Sequence, residues 1–366
     1  MPTPNETISL LIGGQVHRHW TRYEIDSDLL VPADAWTVAL GLPRGEIPPV
    51  VQEGAAVVVR VGADTVMSGR IDDIADQIDA RGHSLSLSGR DGAAVLVDCS
   101  APILSGRAVT LAQIVQTVVR PLGVTRVRID SAAGNSRSDK VAVEPGDTAW
   151  DTLARAAEAR GLWPWMDPDG TLVVGGPDYT RPPVARLVLR RDGAGNNLLS
   201  LRRVRSMANR YSDITLLGQG HGTAAESGRH ALRAQVKDAQ VPVYRPRVVV
   251  DGDTDNNAAA SARARKLLAD SRLSGLILTA EVRGHRTADG VLWQPGQRVH
   301  LVAEPLGLDG VYFIMARRFT GGASQGTTTT LTLREDGVWI VDGAKQSAKK
   351  GGKGKRRAAE EIINVD

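Results

Sequence analysis

The chain has 366 residues, of which 42% are hydrophobic, 23% charged and 4% aromatic. This length favours two or three domains over a single core, and no apolar run approaches the roughly eighteen residues of a membrane span. The formal net charge is +4, and seven of the 45 basic residues and three of the 41 acidic residues lie from Lys345 onwards. The rest of the chain has 38 basic and 38 acidic residues and is therefore neutral. A single cysteine, Cys99, excludes an internal disulfide and a thiolate metal site.

Short runs that alternate apolar and polar residues fill the first hundred positions. They lie at 8–12, 20–25, 35–40, 55–61, 65–72 and 83–88, and most end at glycine or polar turns. This alternation is typical of half-buried antiparallel strands. We therefore predict a first β-barrel domain over residues 1–100.

The period changes to that of a helix after Ala108. One apolar stripe runs from Leu111 to Val119 and stops before Pro121. A second helix, capped by Asp147 or Thr148, is followed by a hairpin over 162–174 with its turn at 167–170. These elements predict a mixed α/β domain over residues 101–183.

Strand character resumes after residue 184 and leads into a second region that is similar to the first. Strands at 184–190, 198–205 and 210–217 and a helix at 258–271 form a connecting region, 184–275. In the region 276–342, Gly296 and Gly310 are spaced much like Gly54 and Gly69. The predicted fold is mainly β with an α+β insert: two similar antiparallel β-barrel domains joined by a mixed α/β domain, with a disordered basic C-terminal tail over 343–366.

The stretch VEPGDTAWDTLARAAEARG at residues 143–161 resembles the start of a cell-wall-binding LysM repeat. A LysM unit continues with a second helix, whereas here the residues after Gly161 predict a hairpin. A turn, a helix cap and an apolar face beginning at Trp150 account for this sequence similarity. A protein that binds or degrades the cell wall (peptidoglycan) stays an alternative interpretation.

No motif predicts catalysis, a metal site or a cofactor. His17 and His19 share one strand face without further ligands, and Asp251, Asp253 and Asp255 begin a calcium-loop pattern that fails at Asn256. The glycines of 218–222 do not introduce a helix after a parallel strand. We predict a protein that is not an enzyme.

The order of several motifs carries a family resemblance. The carriers are the GDT-W cap with its helix and hairpin, residues 88–91 and 96–101, the Ala-rich helix around 262–266, and the stretches 292–299 and 307–314. Together they resemble phage baseplate hub proteins of the Mu-like, late-control D type, related to the hub part of type VI secretion spikes.

The resemblance implies a structural, trimeric adaptor in the baseplate of a contractile tail. Its six barrels would form a ring between the three-fold spike and the six-fold tail tube. The implied partners are two further copies of the chain, the central spike protein, the tail tube protein and neighbouring baseplate proteins, with no membrane. The implied location is the virion, after assembly in the bacterial host cytoplasm.

The candidate residues are structural. Gly54, Gly69, Gly296 and Gly310 are expected to set barrel turns, and Trp150, Trp163 and Trp165 to pack the middle domain. The basic tail offers Lys349, Lys350, Lys353, Lys355, Arg356 and Arg357. These cations are open to three interpretations: a solvated end, docking on an acidic protein surface, or transient contact with genome DNA through its phosphates.

Overall fold

The computed structural model of this protein consists mainly of β-strands, with few helices. It describes residues 4–18, 20–41, 48–80, 82–103, 105–106, 109–129, 137–138, 141–143, 145–158, 160, 162–219, 231–251, 257–323, 326–339 and 362–363. Among these residues, no helix is long and apolar enough to cross a membrane.

Seven antiparallel strands form the N-terminal region after a 3-10 turn at Pro4–Glu6. They are β1 (Ile8–Ile12), β2 (Gln15–His17), β3 (Arg22–Asp28), β4 (Ala35–Gly41), β5 (Ala56–Val61), β6 (Asp64–Asp79) and β7 (Gly82–Asp91). Their spatial order is β3, β4, β7, β6, β5, β1, β2. Alternate residues such as Val57 and Val59 are buried, which is the pattern expected of strands with one face on a core.

The middle region mixes short helices and strands. It contains α1 (Ala94–Asp98), β8 (Ser105–Gly106), β9 (Val109–Thr110), α2 (Leu111–Ile114), β10 (Val127–Ile129), β11 (Arg137–Ser138), β12 (Val141–Ala142), α3 (Ala149–Glu158), β13 (Trp163–Met166) and β14 (Leu172–Gly175). The segment of α2 begins at a capping box between Thr110 and Gln113 and continues as a π-turn and a 3-10 turn up to Gly123, whose φ is +86°. The predicted helices and their order are confirmed.

The hairpin predicted after the LysM-like helix is also confirmed. The Thr148 hydroxyl accepts the Asp151 N–H at the start of α3, and β13 then pairs antiparallel with β14. Because a hairpin lies where LysM has its second helix, this segment is not a LysM unit.

The third region contributes both to the large sheet and to a small one. Its elements are β15 (Ala185–Leu189), β16 (Leu198–Arg205), β17 (Asp213–Gln219), β18 (Ala231–Lys237), β19 (Pro246–Asp251) and α4 (Asn257–Gly275). A three-stranded sheet in the order β18, β17, β19 packs against α4 through Leu216, Ala234, Ala260 and Ala264. In contrast, β15 and β16 pair with C-terminal strands.

The C-terminal region completes the large sheet. It contains β20 (Leu276–Arg283), β21 (Arg298–Ala303), a 3-10 turn at Glu304–Leu306, β22 (Leu308–Gly321) and β23 (Thr328–Glu335). The spatial order is β16, β20, β23, β22, and β21 lies beside the first half of β22 with β15 on its far side. A last short strand, β24 (Ile362–Ile363), pairs with β10.

The two regions expected to be separate barrels are joined into one 13-stranded sheet. The second half of β22 extends beyond β21, and β3 pairs with it over Ala316–Gly321. Strand pairing closes neither region into a barrel among the described residues. One continuous core therefore spans both regions, from Leu10 and Ile25 to Phe319 and Leu333.

The internal repeat nevertheless extends to hydrogen bonds. Gly54 N–H donates to Ile71 O at 2.8 Å and Ile71 N–H to Ala55 O at 3.0 Å. In the C-terminal region, Gly296 N–H donates to Ile314 O at 2.9 Å and Ile314 N–H to Gln297 O at 2.8 Å. We call β3, β4, β7, β6, β5 and β1 the first unit, and β16, β20, β23, β22, β21 and β15 the second unit. The first five strands of each unit correspond in order and in antiparallel pairing, whereas the sixth differ in direction, because β1 pairs antiparallel with β5 and β15 pairs parallel with β21.

Two of the four predicted turn glycines lie elsewhere. Gly54 and Gly296 lie in turns with φ of +77° and +87°. Gly69 and Gly310 instead lie inside β6 and β22, outside the positive-φ region, so they set no turn. Val57 of the first unit corresponds to Val299 of the second. Gly69 pairs with Val57 and Tyr312 pairs with Val299, so the structural counterpart of Gly69 is Tyr312 and not Gly310.

Candidate interaction surfaces

The two units meet where β3 pairs with the second half of β22. The Arg318 guanidinium lies 2.6 Å from the Asp26 carboxylate and 3.4 Å from that of Glu24. On the opposite face, Ile25 and Phe319 are paired and fully buried. We call this contact the intrachain joint; it combines a buried apolar pair with an exposed ion-pair cluster.

A buried polar network lies behind the intrachain joint. Tyr23 Oη lies 2.8 Å from His285 Nε2, and His285 Nδ1 lies 3.1 Å from the Thr329 hydroxyl. Burial, together with the positive charges of Arg317 and Arg286, lowers the pKa of His285 to about 3. This histidine is therefore neutral and fully enclosed, which suits it to holding strands together and not to proton transfer with a bound molecule.

A second buried polar cluster lies between the first unit and α1. Asp34 N–H donates to the Asp91 carboxylate at 3.2 Å, and Asp91 also accepts the Ala93 N–H at 2.8 Å. Burial raises the pKa of Asp34 despite hydrogen bonds from Ser27 and Asp28. Burial and the neighbouring Asp34 raise the pKa of Asp91 to about 8. Asp91 is buried and Asp34 is partly exposed, and their hydrogen bond links the loop after β3 to the end of β7.

No arrangement in the described part of the chain indicates metal or acid–base chemistry. Within the ranges given above, no group of three histidine, cysteine or acidic side chains could hold a metal ion. Asp253, Asp255 and His19 lie outside the described residues, and Asp251 lies 3.4 Å from Arg263. The surfaces, not the interior, are the candidate sites.

One surface is the outer half of β6, residues Asp72–Asp79, which extends beyond β5 as a two-stranded ribbon with the first part of β7. Pairing with β5 stops at Arg70, while pairing with β7 continues to Asp79. From Ala75 onwards every side chain is exposed, and Ile78 is 78% exposed. This ribbon carries four aspartates in eight residues, at 72, 73, 76 and 79.

A second surface is β16, the terminal strand of the large sheet at the other end. Its sequence, LLSLRRVR, is basic where the β6 ribbon is acidic. β20 pairs with one edge of β16, and the described residues provide no partner strand on its other edge. Arg202 and Arg205 are exposed, while Arg203 Nη1 donates to Leu306 O.

A third surface is the outer face of the small sheet. Val248 and Val250 of β19 are 62% and 79% exposed, beside Leu217 of β17. These apolar side chains lie on the face opposite α4. Because exposed apolar side chains that adjoin one another mark contact surfaces more often than isolated ones do, this face is a candidate contact surface.

The predicted tryptophans lie in different environments. Trp150 is buried in the core of the middle region. Trp163 is half-buried against that core, and its Nε1 donates to Leu29 O at 2.6 Å, so it lies where the middle region meets the first unit. Trp165 is half-buried and donates to Asp167. The six tail cations from Lys349 to Arg357 lie outside the described residues.

Sequence reasoning missed the residues at the joint and at the open edges. The acidic stretch DDIADQID and the basic stretch LRRVR are visible as charge runs. Nothing local indicates that both lie at sheet edges, because strand neighbours are set by contacts distant in sequence.

Four family models match two long stretches of the chain and leave residues 177–209 between them unmatched. Residues 7–91 match Mu phage baseplate assembly protein GpP-like, N-terminal, and residues 93–176 match baseplate hub protein gp44-like, second domain. Residues 210–268 match tail protein NMB1110-like, third domain, and residues 270–338 match a tail protein C-terminal domain.

Individual relatives agree with these matches. The baseplate hub protein gp44 of Escherichia phage Mu is 26% identical over 308 residues, 82% of this chain and 79% of gp44. The crystal structure of a tail protein from Neisseria meningitidis MC58 is 41% identical with a TM-score of 0.81, covering 91% of this chain and 97% of that one. The 43 kDa tail protein of prophage MuSo2 from Shewanella oneidensis is 25% identical with a TM-score of 0.79, covering 91% and 99%.

The sheet architecture and these likenesses define a structural protein of a phage tail. The chain belongs to the Mu-like phage tail protein family that includes baseplate hub proteins of the gp44 type. Its place is accordingly the tail baseplate of a virion.

Proposed function

We propose that three copies of this chain form the hub of a contractile tail's baseplate and join a three-fold central spike to a six-fold tail tube. The observation that supports the proposal is the repeat within the chain of five antiparallel strands in one order, β3, β4, β7, β6, β5 and β16, β20, β23, β22, β21. Three chains with two similar units each present six similar surfaces, which suits a six-fold partner, while the whole assembly keeps three-fold symmetry. In this assembly each unit acts as one barrel-like module.

The proposed hub has a purely structural role. Its most perturbed titratable groups, His285 and Asp91, are buried and hydrogen-bonded within the protein. The partners are the spike, the tube and neighbouring baseplate proteins. The chain divides functionally after residues 100, 183 and 342, and β15 and β16 of the connecting region 184–275 act within the second unit. The basic tail beyond residue 342 contacts an acidic surface of a neighbour.

Light scattering of the purified protein tests this proposal. A trimer would have a mass of about 117 kDa, three chains of 39.0 kDa. The measurement is made over a range of concentrations, alone and with the central spike protein of the same tail. A trimer under either condition supports the hub, and a monomer under both contradicts it.

A further inference from the structure

The intrachain joint has a counterpart whose partner strand lies outside the chain. In the second unit, β22 shifts register between Ile314 and Ala316, and β3 occupies the edge beyond this point. In the first unit, β6 shifts register between Ile71 and Asp73, at the equivalent place. The edge beyond that shift is the outer half of β6, which β5 leaves unpaired after Arg70.

The strand that corresponds to β3 is β16. Each is the terminal strand of its unit, and each pairs with the strand that follows it in that unit, β3 with β4 and β16 with β20. The outer edge of β3 is covered by β22, whereas the outer edge of β16 has no partner among the described residues. Six strands separate β16 from β6 in the sheet, a span of roughly 34 Å at the usual strand spacing.

We propose that β16 of one copy pairs antiparallel with the outer half of β6 of the next copy. This inference rests on the proposed trimer and names the strands that build it. The contact between copies repeats the intrachain joint, so one rotation relates the two units of a chain and also the second unit of one copy to the first unit of the next. A head-to-tail contact forms a ring when its rotation closes, and the proposed trimer requires this contact to close after three copies.

The register of the new contact follows from the equivalences. Tyr23 is opposite Gly321 in the intrachain joint, and these residues correspond to Leu201 and Ile78. Leu201 of one copy is therefore opposite Ile78 of the next, which covers an apolar side chain that is now 78% exposed. Two residues along, Arg203 is opposite Asp76.

The overall charges of the two edges support the pairing of β16 with β6, and Arg203 opposite Asp76 is the charged pair that this register forms. In the intrachain joint the arginine lies on β22 and the acids on β3. Across the new contact the signs are reversed, because the acids lie on β6 and the arginines on β16. Opposite charges on facing strands stabilise pairing, and the reversal disfavours β3 at the edge of β6, since both are acidic.

A cysteine pair tests the contact directly. Residues directly opposite in antiparallel strands have Cα atoms about 4.5–5.5 Å apart, within the range that a disulfide spans. In a Cys99→Ser background, Ile78→Cys with Leu201→Cys is expected to give covalent dimers and trimers on mild oxidation. The matched control, Ile78→Cys with Arg202→Cys, shifts one cysteine by a residue to the other face of β16 and should give few.

A charge swap provides a second test that does not depend on oxidation. Asp76→Arg places like charges opposite each other and is expected to weaken trimer formation about tenfold. Adding Arg203→Asp restores an opposite pair and is expected to recover most of that loss. Melting temperatures of both variants, measured as separated monomers at low concentration, control for the intrachain bond of Arg203 to Leu306.

The outcomes separate this inference from the hub itself. Cross-linking of the 78 and 201 pair above its control, with rescue by the swap, supports the contact. A normal trimer with no cross-link, or with equal cross-linking of the control, overturns the strand contact and leaves the hub intact. A chain that stays monomeric at every concentration and with the spike overturns both.

Discussion

Replacing Gly69 by alanine should destabilise the protein strongly, although Gly69 sets no turn. A Cβ at this position would lie 1.9 Å from Arg90 O and 2.8 Å from Asp91 Cα. Ordinary contacts begin near 3.4 Å, so the main chains of β6 and β7 would have to separate by more than an ångström. Both obstacles are backbone atoms, which cannot rotate away.

The magnitude follows from overpacking and lost pairing. Inserting a methyl group into a tight site costs about 1–3 kcal/mol, and each ladder hydrogen bond weakened adds about 1 kcal/mol. We therefore expect about 3 kcal/mol and, for a chain of 366 residues, a fall in melting temperature of about 4 °C. Differential scanning calorimetry at fixed protein concentration measures the change.

Gly310→Ala is the matched control. It also lies inside a long strand of the repeat, but its Cβ would meet only Tyr312 Cε2, at 3.9 Å. We expect it to be neutral or to stabilise by up to about 1 kcal/mol, because alanine loses less backbone entropy than glycine. Equal melting temperatures for the two variants would refute the crowding argument at β6 and β7.

The other predictions concern turns and pH. Gly54→Ala and Gly296→Ala each place a side chain at positive φ and should each lower the free energy of unfolding, measured by chemical denaturation, by about 1–2 kcal/mol. If one variant is neutral and the other is destabilised, the two glycines do not have equivalent roles in the repeat. Asp91 has a folded-state pKa of about 8 against 3.8 ordinarily, so its contribution is full below pH 4 and is lost as the pH rises towards 8. Asp91→Asn should flatten that part of the profile of melting temperature against pH, and an unchanged slope would show that Asp91 does not titrate there.

Local patterns in the sequence account for most elements. The alternation at 55–61 and 83–88 predicted β5 and β7, and the capped apolar stripes predicted the helices of the middle region. The Asp-Pro-Asp-Gly turn predicted the hairpin of β13 and β14. The repeat was visible in its glycines, although the structure shifts its second pair by two residues, from Gly310 to Tyr312.

Strand partners could not be predicted in the same way. β3 and β22 are nearly 300 residues apart, and the period-2 pattern of each strand describes its faces and not its edges. The sequence therefore suggested two closed barrels, whereas the structure joins both units through the second half of β22. In the sequence, the acidic and basic edge segments are ordinary charge runs. Only the strand order shows that both lie at open edges of the sheet.

By itself, the sequence determined the mainly β composition, the helices of the insert, the repeat and the family, because these depend on local periodicity, turn chemistry and motif order. Only the tertiary structure decided the continuous sheet, the crowding at Gly69 and the two complementary edges. These features depend on the distance between backbone segments that the chain brings together from far apart, and a linear pattern carries no measure of that distance.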